Sequence, residues 1–217
     1  TLVRFEKWDE IASGALPEVG EFESFKAWRY YATALATLSK GDVAATKAQL
    51  DVLEREIAWL KDKFAKAKDI AQAGRQRQQL RALNVAPIEL QARLLAREGK
   101  ADEAIAKLKE GIEEEIKLGY SEPPLYPVPM EEVAGKLCLE LKRWKEAEEF
   151  FRAALERDPG SGRAYFGLMQ VTQASGKDAE ARDWYAKFVK AWAKADTDLP
   201  EMKRAKELAS TFSASGH

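Results

Sequence analysis

Apolar and polar positions repeat every thirty-four residues in the C-terminal half of the chain. Residues 142–158 and 176–192 carry the same pattern, in which Ala147 corresponds to Ala181 and Phe151 to Tyr185. Small alanines stand where two helix backbones approach closely, and large apolar or aromatic side chains fill the space toward the next unit. The pattern therefore predicts that each unit consists of two helices.

The segment 147–159, A-E-E-F-F-R-A-A-L-E-R-D-P, resembles the core of the tetratricopeptide repeat. That core reads A-x3-F/Y-x2-A followed by proline, and its period is the one found here. The resemblance implies an all-α fold, a right-handed α-solenoid of helix pairs closed by a C-terminal capping helix. We expect residues 1–217 to form one such solenoid.

Glycine turns indicate two earlier helix pairs. Gly41 and Gly99 each follow a helical stretch, where a glycine can adopt the left-handed conformation, and Asp42 is placed to cap the next helix. The two glycines are fifty-eight positions apart, twenty-four more than one period. Because the excess is rich in Lys, Arg, Gln and Ala, we expect lengthened helices around a break near Gly74, with Pro87 kinking or opening the following helix.

A second excess falls in the segment from Tyr120 to Pro129, where four prolines between 123 and 129 forbid a helix until about Pro129. Near the N-terminus, K-W-D-E-I-A resembles the start of a second repeat helix, so we expect the chain to begin inside a repeat. The predicted division is 1–16 truncated repeat, 22–60 repeat, 61–84 helical insertion, 85–119 repeat, 120–128 Pro/Tyr insertion, 128–161 repeat, 162–195 repeat and 198–212 capping helix.

Composition excludes several functional classes. The 35 Lys and Arg balance the 36 Asp and Glu, which disfavours nucleic acid, and no apolar run approaches a membrane span. One cysteine and one histidine leave little for disulfide, metal or acid–base chemistry. We therefore expect a soluble protein without metal or cofactor, in either the cytoplasm or the periplasm.

Further motifs resemble a group of bacterial tetratricopeptide-repeat proteins of largely unassigned function. They are V-R-F-E-K-W-D-E near the start, the Tyr120–Pro129 segment, and D-P-G-S-G-R-A-Y-F-G-L from Asp158 to Leu168. In that group further helical repeats with His-containing motifs precede the part seen here. Three departures stand out: Lys142 replaces the usual turn glycine, Cys138 replaces a common aromatic, and Gly111 replaces a core alanine.

The resemblance implies that the first helix of each pair lines a concave surface that binds partners. A groove that mixes cations and aromatics favours an acidic or C-terminal peptide. An extended Pro/Tyr segment at a solenoid edge can line a pocket or merely pack over adjacent helices. The candidate residues are Tyr31, Arg93, Arg97, Lys136, Arg163, Phe166, Gln170 and Gln173 on the concave face, with Tyr120 and Tyr126 in the insertion.

Other reactive residue types fit structural roles better. Cys138 falls on an apolar stripe, so we expect a buried small hydrophobe and no nucleophile. The glutamate runs at 113–115 and 148–149 are typical of a solvated helix face and not of a metal site. Most of the six tryptophans fall at packing positions.

The leading hypothesis is a non-enzymatic scaffold that binds a peptide or partner domain in its groove. One alternative is that the chain is the C-terminal part of a larger enzyme, or of a metal- or cofactor-handling protein, with its reactive residues upstream. Another is self-association through the N-terminal end, where Phe5, Trp8 and Ile11 are expected to lie uncovered. The fold does not decide among these readings.

Overall fold

A computed structural model describes residues 2–16, 23–66, 70–197 and 199–212, and within these ranges the secondary structure is entirely helical. The all-α prediction is therefore confirmed. The predicted boundaries at residues 22 and 198 lie outside the described residues. The helices are α1 Trp8–Ala12, α2 Ser24–Ser39, α3 Val43–Ala65, α4 Ile70–Leu83, α5 Val85–Arg97, α6 Ala101–Ile116, α7 Met130–Glu140, α8 Trp144–Arg157, α9 Gly162–Ala174, α10 Asp178–Ala191 and α11 Pro200–Phe212.

The chain divides into two compact units, Thr1–Met130 (unit 1) and Glu131–His217 (unit 2). In unit 1, α2 packs against α3 and α5 against α6, and contacts of α5 with both α2 and α3 stack one pair on the other. In unit 2, α9 packs against both α8 and α10, and α10 packs against α11. Packing of each helix against the next in this way is consistent with a tetratricopeptide-like solenoid.

Left-handed residues end the first helices of the pairs. Gly41, Gly99 and Gly176 have φ values of 84°, 79° and 71°. Lys142 stands at the corresponding turn with a φ of 58°, so a lysine holds a conformation that usually requires glycine. Next to Gly41, the predicted cap is confirmed, since the Asp42 side chain accepts a hydrogen bond from the Ala45 backbone N–H at 2.9 Å.

The helices between the two pairs of unit 1 differ from the prediction in one respect. Helix α4 runs without interruption through Gly74, so the break expected there is wrong. An interior glycine costs a helix only about 1 kcal/mol relative to alanine, which its neighbours can offset. Helix α5 begins one residue after Asn84, and Pro87 lies in its first turn, where a missing backbone N–H breaks no helical hydrogen bond.

An aromatic side chain fills the space beside two glycines in unit 2. Phe151 of α8 is 3% exposed and lies against Gly135 of α7 and Gly167 of α9. A Cβ added at Gly167 would lie only 2.3 Å from the Phe151 ring, and one at Gly135 would lie 2.7 Å from it.

Arg157 also donates to both carboxylate oxygens of the buried Glu131, at 2.6 and 2.7 Å, which ties the end of α8 to the start of α7.

The last helix covers the final pair, as a capping helix should. Met202, Ala205 and Leu208 of α11 form a buried cluster with Met169 of α9 and Phe188 of α10. Gln173 near the end of α9 donates to the hydroxyl of Thr211 near the end of α11 at 3.0 Å. These contacts place the C-terminal ends of α9 and α11 side by side.

The N-terminal end is better covered than the sequence predicts. Ile11 is 2% exposed and packs against Ala32 and Ala36 of α2, and Trp8 is half-buried against the same cluster. The expectation that three large side chains lie uncovered is therefore wrong for Ile11, although Phe5 is 47% exposed. No helix in the described ranges is both long enough and apolar enough to cross a membrane.

Candidate interaction surfaces

Two first helices lie side by side in unit 2. Ser161 caps α9 by accepting a hydrogen bond from the Ala164 backbone N–H at 3.1 Å. Its hydroxyl also donates to Glu132 Oε1 of α7 at 2.6 Å, in a buried contact. One serine thus begins α9 and fixes its N-terminal end to α7.

Helical spacing puts four of the predicted residues on one stripe of α9, and the structure uses part of this stripe for packing. The Phe166 ring lies 5.5 Å from the ring of Phe188, and Gln173 bonds to the capping helix as described above. The guanidinium of Arg163 lies 5.8 Å from the ring centroid of Trp192, and Gln170 is half-buried. Arg163 and Gln170 are thus both half-buried on this stripe.

Lys136 on α7 is half-buried, like Arg163 and Gln170. We call these three residues, Lys136, Arg163 and Gln170, the α7–α9 surface. The position of Arg163 over an indole ring favours a fixed orientation of its guanidinium, whose planar donors suit a carboxylate. The α7–α9 surface thus combines two cations with one amide.

In unit 1 the predicted residues have a different environment. Tyr31 and Tyr126 are 1% and 3% exposed, and Arg93 donates from Nε to Glu89 Oε1 at 2.7 Å. Tyr31 therefore has no surface to offer to a partner, contrary to what a role on an open concave face requires, and Tyr126 of the insertion packs between the adjacent helices. Of the other predicted residues, Arg97 is exposed, and Tyr120 is 91% exposed.

Glu89 is the centre of this buried cluster. The hydroxyls of Tyr31 and Tyr126 both donate to Glu89 Oε2 at 2.7 Å, and the two hydroxyl oxygens are 3.2 Å apart. Three hydrogen bonds therefore satisfy a carboxylate that is only 1% exposed, as burial of a charge requires. Burial, followed by the charge of Glu89, raises the pKa of both tyrosines well above its ordinary value, so both remain hydrogen-bond donors at neutral pH.

Aromatic rings complete the surroundings of Tyr126. Its ring centroid lies 5.9 Å from that of Trp28 and 6.1 Å from that of Tyr31, and the last two lie 5.7 Å from each other. The phenol of Tyr126 is thus enclosed by two rings of α2 and held at its hydroxyl by a carboxylate of α5. We call Trp28, Tyr31, Glu89 and Arg93 the tyrosine pocket.

The sequence identifies Tyr31, Arg93 and Tyr126 as candidate residues but does not predict that they lie in one cluster. A usable signal lies in the pattern of α5, where Glu89 interrupts the apolar stripe formed by Val85, Ala86 and Ala92. A carboxylate on a buried stripe needs donors, and a tyrosine in an otherwise apolar, proline-rich segment is one candidate donor.

Cys138 and the glutamates considered as reactive or metal-binding residues take part in packing, hydrogen bonds and ion pairs. Cys138 is buried, as expected for a small core residue. Within the glutamate runs, Glu115 accepts a hydrogen bond from the Met130 backbone N–H at 2.6 Å, and Glu148 pairs with Arg152 at 2.7 Å. Among the residues that the structure describes, no three His, Cys, Asp or Glu side chains are grouped so that they can hold a metal ion.

Comparison with protein families agrees with the fold. Residues 139–208, from the end of α7 into α11, match the family model described as tetratricopeptide repeat. With the all-helical structure, this match supports a tetratricopeptide-repeat protein, as predicted, and a role in protein interaction in general. Such repeats are typically non-enzymatic scaffolds. No curated protein and no solved structure matches the chain.

Proposed function

We propose that this protein is an interaction scaffold that binds a partner protein or peptide at the α7–α9 surface. The family match supports a protein partner. The observation that carries the choice of surface is the Glu132–Ser161 hydrogen bond, because it sets the two first helices side by side with Lys136 and Arg163 at half-buried positions.

The chemistry of the α7–α9 surface favours a partner with a carboxylate. Arg163 offers a planar fork of N–H donors, and the Trp192 ring beneath it limits the loss of side-chain entropy on binding. Gln170, two turns along the same stripe, can pair with a peptide backbone through both its donor and its acceptor. An acidic side chain or a C-terminal carboxylate, followed by extended backbone, satisfies both groups.

The test reverses the two charges of the surface in the variant Lys136→Glu/Arg163→Glu. A partner is first identified by affinity capture from the source organism with the unaltered protein and then purified. We expect its affinity to fall about ten-fold or more in the double variant, because two attractive contacts become repulsive. The matched control is Lys190→Glu/Lys194→Glu, which makes the same change in net charge at two exposed positions.

Both variants should retain the helical circular dichroism of the unaltered protein, because none of the four exchanged side chains is fully buried. A partner that binds the double variant and the control equally well would remove the α7–α9 surface from the account. A partner that loses affinity only for the control would move the site to the region around Lys190 and Lys194.

A further inference from the structure

The connection between α6 and α7 places one tyrosine in the interior of unit 1. Tyr120 is 91% exposed, and Pro123 and Pro124 are exposed as well. Tyr126 is 3% exposed, while the residues on either side of it, Leu125 and Pro127, are half-buried. A single side chain of a bent, proline-rich segment is thus inserted between helices.

The tyrosine pocket suits a phenol better than an apolar ring of the same size. Trp28 and Tyr31 enclose the ring, and Glu89 Oε2 lies 2.7 Å from its hydroxyl oxygen. A phenylalanine in the same place would leave the buried carboxylate with one donor fewer. Loss of a hydrogen bond to a buried charged group is costly, and this cost selects for the hydroxyl.

We propose that the cleft between α2 and α5 is a recognition site for tyrosine in a proline-flanked peptide, and that Leu125-Tyr126-Pro127 occupies it as an internal ligand. This site is distinct from the α7–α9 surface, and its existence does not depend on the function proposed there. A second segment of the same chemistry binds when it displaces the internal one.

The mode of insertion resembles recognition of a peptide more than packing of a helix. The prolines at 123, 124, 127 and 129 lack backbone N–H groups and have fixed φ angles, which lowers the conformational entropy that the segment loses on binding. Specificity then rests on one deeply buried side chain with a polar end. Two further contacts hold the segment near its C-terminal end, since Arg4 donates to the Pro127 carbonyl at 3.4 Å and Glu115 accepts from Met130 N–H at 2.6 Å.

The experiment vacates the pocket and supplies its ligand from solution. The variant Tyr126→Ala, in the full chain, is titrated into a fluorescein-labelled peptide of residues 122–129, E-P-P-L-Y-P-V-P, and binding is followed by anisotropy. We expect saturable binding, at least about ten-fold tighter than to the unaltered protein, where the internal segment competes. A peptide with phenylalanine in place of its tyrosine should bind about ten- to a hundred-fold more weakly, as expected for loss of a hydrogen bond to a charged group.

Tyr126→Ala is first checked for retained helical circular dichroism and a cooperative melt. A folded variant that fails to bind the peptide, or that binds both peptides equally, would show that Tyr126 is a packing residue only. If Tyr126→Ala does not fold, Tyr126→Phe keeps the ring and removes the hydroxyl. It should bind the tyrosine peptide more tightly than the unaltered protein does, and equal affinity would contradict the proposal.

Discussion

The contact between Phe151 and Gly167 makes a quantitative prediction for the variant Gly167→Ala. The added methyl carbon would lie 2.3 Å from the Phe151 ring, whereas ordinary contact begins near 3.4 Å, so the ring has to retreat by about 1 Å. It has little room to do so, because on α7 it already lies against Gly135, where an added Cβ would be 2.7 Å away.

Two opposing effects set the magnitude. Overpacking of this kind typically costs about 1–3 kcal/mol. Replacing a helical glycine by alanine returns about 1 kcal/mol through helix propensity. We therefore expect Gly167→Ala to destabilise unit 2 by up to about 2 kcal/mol, in spite of the better helix former.

The chain offers a matched control in Gly74 of α4. It is also a glycine inside a helix, but a Cβ added there meets no atom within 4 Å. Gly74→Ala should therefore stabilise the protein by up to about 1 kcal/mol. The difference between the two variants isolates the contact with Phe151 from helix propensity.

The assay is urea unfolding followed by circular dichroism, and the double variant Phe151→Leu/Gly167→Ala completes a thermodynamic cycle. Leucine is smaller than phenylalanine, so Gly167→Ala should cost little in the Phe151→Leu background, with a coupling energy of about 1 kcal/mol or more. A Gly167→Ala protein as stable as Gly74→Ala would refute the packing described here. So would the same cost in both backgrounds.

Other predictions follow from single residues. Lys142→Gly should raise stability by about 0.5–1 kcal/mol in the same assay, because the lysine has a φ of 58°. Lys145→Gly, in the first turn of α8, should lower stability by up to about 1 kcal/mol. A loss of stability in both variants would contradict the strain at Lys142. Ala147→Trp should destabilise the protein by about 1–3 kcal/mol or more, because Ala147 is fully buried. An unchanged melting temperature would refute the alignment of Ala147 with the close helix contact of the repeat. Burial, followed by the negative charge of Glu89, raises the pKa of both Tyr31 and Tyr126. The protonated hydroxyls therefore stabilise the folded state below the ordinary tyrosine pKa of about 10. This stabilisation is lost as the pH rises beyond that value. Tyr126→Phe should weaken that alkaline loss in thermal melts, and an unchanged pH dependence would contradict the cluster geometry.

The repeat period and the turn residues in the sequence predict the features of this fold that involve residues close together in the chain. The period of thirty-four residues placed Ala147 and Ala181 at fully buried positions, and turn chemistry located Gly41 and the cap at Asp42. The prediction of a helix break at Gly74 was wrong because one glycine destabilises a helix only weakly, and its neighbours can offset that cost.

The tyrosine pocket depends on contacts between residues distant in sequence. Tyr31, Glu89 and Tyr126 lie on α2, on α5 and in the segment before α7, and no local pattern relates them. The resemblance placed Tyr31 on a first helix, but it could not show that a segment distant in sequence covers it. The same reason explains Phe166 and Gln173, whose contacts with Phe188 and Thr211 depend on how α10 and α11 pack.

Site-specific photo-crosslinking in cells of the source organism tests whether unit 2 binds a partner at the α7–α9 surface. A benzophenone amino acid replaces Gln170 in one variant and the exposed Lys190 of α10 in another. Binding at the α7–α9 surface should give a discrete protein adduct from position 170 that is absent from position 190. An adduct from position 190 with none from position 170 would contradict it.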